Sequence, residues 1–191
     1  MESDPAYKEN YLAEQARLEA IDKSEFANGY KSAARSTFNG PPKYIIPVVF
    51  HIIHEYGIEN ISDEQVKDAI RTLNEDFRKR NADTIKTWDT FKPIAADCEI
   101  EFRLAGLDPN GKPTNGIERI ESRLTTSGTD SAKLNPWPRA NYLNIWVVQY
   151  VRQGSAAFAT YPGGPAEKDG ILSLHSYIGA IGTSNLLQSH T

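Results

Sequence analysis

The stretch Tyr44-Ile45-Ile46-Pro47-Val48-Val49-Phe50-His51-Ile52-Ile53-His54 decides the fold class. Its residues are apolar on both alternating faces, which is typical of a strand that is buried on both sides in the middle of a sheet. Pro47 near the start is compatible with this position, because the first residues of a strand need not donate a hydrogen bond to a neighbour. The stretch therefore predicts a central strand.

An amphipathic helix follows this strand. Ser62 precedes Asp63-Glu64-Gln65, which predicts a capping box in which Ser62 accepts a hydrogen bond from the helix start and Gln65 reaches back. We expect the helix to end near Arg80, with Asn81 as a left-handed cap. Its single apolar stripe, typical of a helix that lies against a sheet, is formed by Val66, Ile70, Leu73 and Phe77.

Three later stretches, 99–105, 142–151 and 170–177, also predict strands. The order of one strand, one helix and several strands predicts an α/β (α+β) fold, a twisted mixed sheet with a backing helix. After Ile178 no predicted element remains to cover the other face of the sheet. We therefore expect part of the domain to lie beyond Thr191.

Residues 1–42 differ in texture from the rest of the chain. Five apolar residues have the spacing of a modest amphipathic helix: Tyr7, Tyr11, Leu12, Leu18 and Ile21. The run Asn39-Gly40-Pro41-Pro42 marks a boundary. The sequence therefore predicts a helical arm and linker over 1–42, followed by the main domain over 43–191.

The composition excludes several classes of protein. There are 21 basic and 25 acidic residues, for a net charge of −4, and phosphate binding needs a concentrated basic surface instead. We therefore expect no nucleic-acid partner. No stretch reaches the roughly 18 apolar residues of a membrane span, and the N-terminus shows no secretory leader.

The histidines do not form a recognisable metal motif. His51 and His54 are three residues apart on a strand, so they point to opposite faces and cannot bind one ion together. His175 is a single histidine, whereas a zinc site needs three or more ligands, and His190 has no nearby partner. The sequence contains no His-Glu-x-x-His, nucleophile elbow, P-loop or dinucleotide fingerprint.

The remaining candidate side chains are also ordinary. Cys98 is the only cysteine, so it forms no disulfide within the chain, and its place before a strand predicts a strand-edge or core thiol. Asp22, Glu25 and Glu55 are expected to be solvated acids.

Six ordered segments nevertheless resemble the pappalysin-type metalloproteases, among them Asn60-Ile61-Ser62-Asp63-Glu64-Gln65-Val66. The others are 46–53, 73–83, 96–105, 137–138 with 142–147, and 161–164 with 169–171. The resemblance covers roughly 44–185, and residues 4–10 are similar to bacterial members of the family. It implies a metzincin-like upper subdomain of a secreted, zinc-dependent endopeptidase whose partner is a peptide or protein substrate.

Zinc in that family is held by a helix with the motif His-Glu-x-x-His-x-x-Gly-x-x-His, which begins a few residues after the position of Thr191. The motif is absent from this chain, so the resemblance assigns no catalytic residue and no metal ligand here, and we expect the chain alone to be inactive. Calcium is a further cofactor that the resemblance leaves open. The alternative is a non-catalytic peptide-binding or scaffolding module built on the same sheet.

Two roles follow from the resemblance for the residues that are present. The last strand is expected to be the exposed edge strand that holds substrate by β-augmentation, through Gly170, Ile171, Leu172, Ser173, Leu174 and His175. The arm is expected to be similar to a pro-segment, although it has no cysteine and Asp22 is only one of several acids that could provide latency.

Overall fold

The computed structural model describes residues 44–161, 164–185 and 187, together with 5, 8–9, 11–13, 15–17 and 20 near the N-terminus. Those N-terminal residues are all helical, in agreement with the helix predicted for the arm. Asp22, Glu25, His190 and the predicted boundary at 39–42 lie outside the described residues. In the described part, no helix is long and apolar enough to cross a membrane.

The central strand β1 spans Tyr44–His54 and is buried along its last seven residues, which confirms its predicted place inside the sheet. It pairs in parallel with β4 (Leu143–Val148) on one side. On the other side it pairs in parallel first with β2 (Ile100–Leu104) and then with β3 (Ile117–Glu121). One long strand therefore organises three shorter ones.

The sheet continues beyond β4 with two more strands. Strand β6 (Ile171–Leu174) lies parallel to β4, and β5 (Ala157–Ala159) lies antiparallel to β6. The described residues thus form a six-stranded sheet in the order β2-β1-β4-β6-β5, with β3 beside β1. This arrangement confirms the predicted mixed sheet.

The helix α1 spans Asp63–Phe77, and its N-terminal cap is as predicted, with Ser62 Oγ accepting a hydrogen bond from Gln65 N at 3.2 Å. The predicted direction of the Gln65 side chain is wrong. Its Nε2 donates instead to the carbonyls of His175 at 3.1 Å and Ile178 at 2.9 Å, so it clamps the segment after β6 to the helix.

The C-terminal end of α1 comes earlier than predicted. Arg78 caps the helix, and the left-handed residue is Lys79, with φ 51°, whereas Asn81 is extended. The reason is the burial of Arg78, whose Nε bonds the Asp97 carboxylate at 2.8 Å and so fixes the turn at this point.

Two packed faces flank the sheet. The helix face is the one that carries Val48, Phe50 and Ile52, and it packs against α1. The loop face carries Val49, His51 and Ile53 and is covered by the segment 122–142, in which Ala132 and Trp137 are buried. The expectation that the second face lacks a cover is therefore wrong. The cover is an irregular segment, and its sequence has no periodicity from which it could be predicted.

The helix face, in contrast, is not filled completely. A cavity of about 320 Å³ lies between α1 and the sheet. Its walls include Leu73 and Phe77 from the helix, Ile145 from β4, and Ile171 and Ser173 from β6. It is an apolar hollow whose lining includes the first residues of β4 and β6, Leu143 and Ile171.

Candidate functional site

The strand that was predicted to bind substrate is not at the edge of the sheet. Strand β6 pairs with β4 on one side and with β5 on the other, so both rows of its backbone hydrogen-bonding groups face a neighbouring strand. The prediction that 170–175 form an exposed edge is therefore corrected. The cause is β5, a strand of three residues whose pairing brings it outside β6.

The side chains of this segment are also largely enclosed. Leu172 is fully buried in the loop face beside Trp146, and Ser173 is 5% exposed. Gly170 has a φ of 129°, and a Cβ there would lie 2.4 Å from the backbone oxygen of Asn144. Ile171 packs in the helix face and Leu174 in the loop face. These residues build the core beneath the edge and do not form its outer surface.

His175 begins a short 3₁₀ turn directly after β6 and is buried. Burial lowers the pKa of His175, and the nearby carboxylate of Glu59 opposes this shift. Burial of Glu59 favours its neutral form, but hydrogen bonds from the backbone N–H groups of Glu55 and Gly57 hold the pKa of Glu59 below its ordinary value. These two buried side chains form an electrostatic pair at the end of the parallel strands.

Strand β5 forms the edge of the described sheet, and its hydrogen-bond geometry defines which groups point outward. Leu174 N donates to Ala156 O at 2.9 Å, so these two residues form a hydrogen-bonded antiparallel pair. Such pairs alternate along the ladder, so Phe158 and Leu172 form the next one. The N–H and C=O groups of Ala157 and Ala159 are therefore directed away from β6, where no other described strand lies.

The side chains of β5 also differ between the residues that bond β6 and those whose backbone groups point outward. Ala157 and Ala159 are exposed, and their methyl groups leave the outer edge open to another backbone. Phe158 is partly buried and packs into the loop face with Trp146 and Leu172. The strand is held from inside by one aromatic ring and presents a row of backbone groups outside.

His51 lies at the centre of the loop face and is fully buried. Its Nδ1 lies 2.7 Å from Glu118 Oε2, and its Nε2 lies 2.9 Å from Asn144 Oδ1. The hydrogen bond from His51, together with one from Asn135, lowers the pKa of Glu118 against the opposing effect of burial. The ring stacks on Trp146 with a centroid distance of 5.2 Å. Both ring nitrogens are thus engaged within the protein.

A zinc ion does not fit the residues that the structure describes. Among them, no group of three or more His, Cys, Asp or Glu side chains could hold a metal ion. His51 and His54 lie on opposite faces of β1, as the strand alternation predicts, and His54 Nδ1 accepts a hydrogen bond from Tyr56 N at 3.2 Å. Cys98 is a free, exposed thiol at the approach to β2.

Comparison with solved structures identifies the relatives of this fold. Mature mirolysin of Tannerella forsythia in complex with a cleaved peptide is 35% identical, with a TM-score of 0.70. Mirolysin in complex with compound 9 is also 35% identical, with a TM-score of 0.68. A mutant of T. forsythia promirolysin is 30% identical, with a TM-score of 0.69. The chain is a relative of the pappalysin-family metalloproteases. The similarity extends over their N-terminal portion.

The pappalysin relatives are longer than this chain. The chain spans 57% of the length of both mirolysin structures and 63% of the promirolysin mutant. In the other direction, mature mirolysin covers 76% of this chain and promirolysin covers 98%. No protein-family model and no curated protein sequence matches the chain.

Sequence reasoning missed the strand β5, which forms the edge of the described sheet. Ala157-Phe158-Ala159 is too short to show a strand alternation, and two of its three residues are alanine, which is depleted in strands. The available signal was the turn chemistry on both sides, Gly154-Ser155 before it and Gly163-Gly164 after it. That signal indicates a short element but gives no information on which strand it joins.

Proposed function

We propose that this chain is the peptide-binding upper subdomain of a secreted, zinc-dependent metalloendopeptidase, preceded by a pro-segment-like arm. One observation carries the proposal: the outward-facing backbone of Ala157 and Ala159 on an edge strand, in a fold that is similar to a mirolysin structure with a cleaved peptide. An extended peptide that pairs with this edge would gain main-chain hydrogen bonds and be held straight, as a protease requires. This replaces 170–175 as the proposed seat of the substrate.

The role of β6 in this proposal is indirect. Residues 170–175 support β5 from the inside, since β5 has no strand other than β6 to pair with among those described. Gly170 lets the chain pass close to Asn144, and Leu172 fills the loop face below the edge. We propose that these residues keep the edge flat and rigid, and that peptide contacts are made by β5.

The zinc chemistry of the proposed endopeptidase is assigned to residues outside those described. The cofactor is inferred from the likeness to a metalloprotease, and neither zinc nor calcium is given a ligand in this chain. Secretion and a peptide or protein substrate are inferred on the same basis.

The arm is the part of the proposal that concerns latency. Mature mirolysin covers about a fifth less of this chain than promirolysin does, which for 191 residues is close to the length of the predicted arm, 1–42. This difference supports a pro-segment role. Replacing Leu12 and Leu18 with serine in the full chain should then raise its affinity for an extended peptide, whereas an unchanged affinity would indicate a passive spacer.

The alternative function is a non-catalytic module that binds peptides with the same edge. The observation in its favour is that the outward-facing backbone groups of Ala157 and Ala159 can pair with an extended peptide without any catalytic group. The two functions predict different properties for the protein purified from the cells that make it.

The deciding experiment measures the zinc content of that native protein and its cleavage of casein with and without a chelator. About one zinc per molecule and cleavage that the chelator abolishes support the endopeptidase. Zinc-free protein that binds extended peptides without cleaving them supports the binding module. Protein that does neither refutes both functions.

A further inference from the structure

Lys133 is a buried lysine that contacts one residue close in sequence and two that are 27 and 35 residues away. Its side chain has no exposed area, and its Nζ donates to Thr160 Oγ1 at 3.0 Å and to Lys168 O at 2.7 Å. The carboxylate of Asp130 lies 3.1 Å from the same nitrogen and supplies the opposite charge. Removing an ammonium from water is costly, so a lysine in this position needs all three partners.

Two of those partners lie in the connection between β5 and β6. Thr160 is the residue directly after β5, and Lys168 lies shortly before β6. Thr160 Oγ1 also donates to Lys168 O at 2.6 Å, so the ammonium closes a small ring of hydrogen bonds. The two ends of the connection between β5 and β6 are thereby joined at one point.

The same ammonium also approaches the inner side chain of β5. Lys133 Nζ lies 5.1 Å from the ring centroid of Phe158 and 5.7 Å from that of Trp146. Both distances lie within the range of a cation–π interaction, which is stronger for a desolvated cation. The guanidinium carbon of Arg152 lies 5.5 Å from the Phe158 centroid as well. Lys133 therefore contacts the edge strand at its only inward side chain and at its end.

We propose that Lys133 is a positioning residue that fixes the edge strand β5 for peptide binding. The inference rests on the proposed function, in which peptide pairs with β5. A strand of three residues on one neighbour is marginal by itself, and a peptide can pair with it only when its backbone is already straight. Lys133 supplies that order from the loop face without touching the peptide.

The test compares Lys133→Met with Arg78→Met in the full chain. Methionine keeps the apolar stem of each side chain and removes the charge and the donors. Arg78 is a matched control because it is also a buried cation, with Nε 2.8 Å from the Asp97 carboxylate, but it lies near β2, at the opposite side of the sheet. All measurements are made where both variants are fully folded.

The first readout is the dissociation constant of a fluorescein-labelled heptapeptide, Lys-Val-Thr-Val-Thr-Val-Lys, chosen for its extended conformation. Lys133→Met should raise this constant by roughly tenfold relative to Arg78→Met, which corresponds to about 1.4 kcal/mol. Equal effects of the two variants, or no effect of Lys133→Met, would overturn the proposal.

The second readout is amide hydrogen exchange, which does not depend on peptide. Leu174 N–H bonds Ala156 across β5 and β6, and Phe102 N–H bonds Asn74 Oδ1 near Arg78. Lys133→Met should accelerate exchange at Leu174 and leave Phe102 slow, and Arg78→Met should do the reverse. If neither the wild-type chain nor the chain with Leu12→Ser and Leu18→Ser binds the heptapeptide, the proposed function fails, while unchanged exchange at Leu174 would refute the role of Lys133 separately.

Discussion

A proline at Ala159 should weaken peptide binding without unfolding the protein. The N–H group of Ala159 points away from β6, so its removal breaks no bond of the ladder, and proline is tolerated on the open side of an edge strand. A peptide that pairs with β5 would lose one main-chain hydrogen bond, which contributes about 0.5–1.5 kcal/mol. The dissociation constant should therefore rise by roughly two- to tenfold.

The matched controls separate this effect from damage to the fold. Ala159→Ser keeps the backbone N–H group and changes only an exposed side chain, so it should leave the peptide affinity unchanged. Phe158→Pro removes an N–H group that faces β6 and should lower the free energy of unfolding as well as binding. Fluorescence anisotropy with the labelled heptapeptide gives the affinities, and urea unfolding gives the stabilities. Equal affinities for wild type and Ala159→Pro would refute the pairing geometry.

Three further predictions concern the support of the edge. Gln65→Leu should lower the free energy of unfolding by about 1–3 kcal/mol in a urea titration, because the carbonyl of Ile178 loses this donor and that of His175 keeps only the one from Thr183 Oγ1. A change within error would contradict the clamp. Gly170→Ala should lower the free energy of unfolding by about 1–3 kcal/mol, because an L side chain is strained at this φ. A stability equal to that of the wild type would show that the backbone can adjust without cost. The pKa of Glu118 is lowered in the folded state, so the stability that its carboxylate contributes is present above the ordinary value of 4.5 and is lost as the pH falls through the folded pKa. Glu118→Gln should therefore flatten the decline of the free energy of unfolding in this acidic range. A decline as steep as in the wild type would assign the pH dependence to other acids.

The elements with a clear periodicity could be predicted from the sequence. The two-sided apolar run of β1 and the apolar stripe of α1 each reflect burial by a layer of structure, so the pattern contains the information. The cap at Ser62 was predictable because it is local. The side chain of Gln65 was not, because its partners lie more than 100 residues away in sequence.

The candidate peptide-binding edge could not be predicted from the sequence, because its position depends on long-range contacts. Strand order decides which strand is the edge, and it results from pairings such as that of β5 with β6, which no local signal encodes. Three residues of β5 are too few to reveal a strand, and the resemblance alone placed the edge at β6. The burial of Lys133 was equally invisible, since its partners Thr160 and Lys168 are 27 and 35 residues away.

The most direct test of the central claim is a nuclear magnetic resonance titration of the full chain with the heptapeptide, followed at backbone amides. The account predicts that Ala157 and Ala159 shift most, because their N–H groups form the new hydrogen bonds, and that cross-strand contacts appear between these residues and the peptide. Shifts that are centred on another surface, or no shift at millimolar peptide in either the wild-type chain or the chain with Leu12→Ser and Leu18→Ser, would contradict the assignment of β5 as the peptide seat.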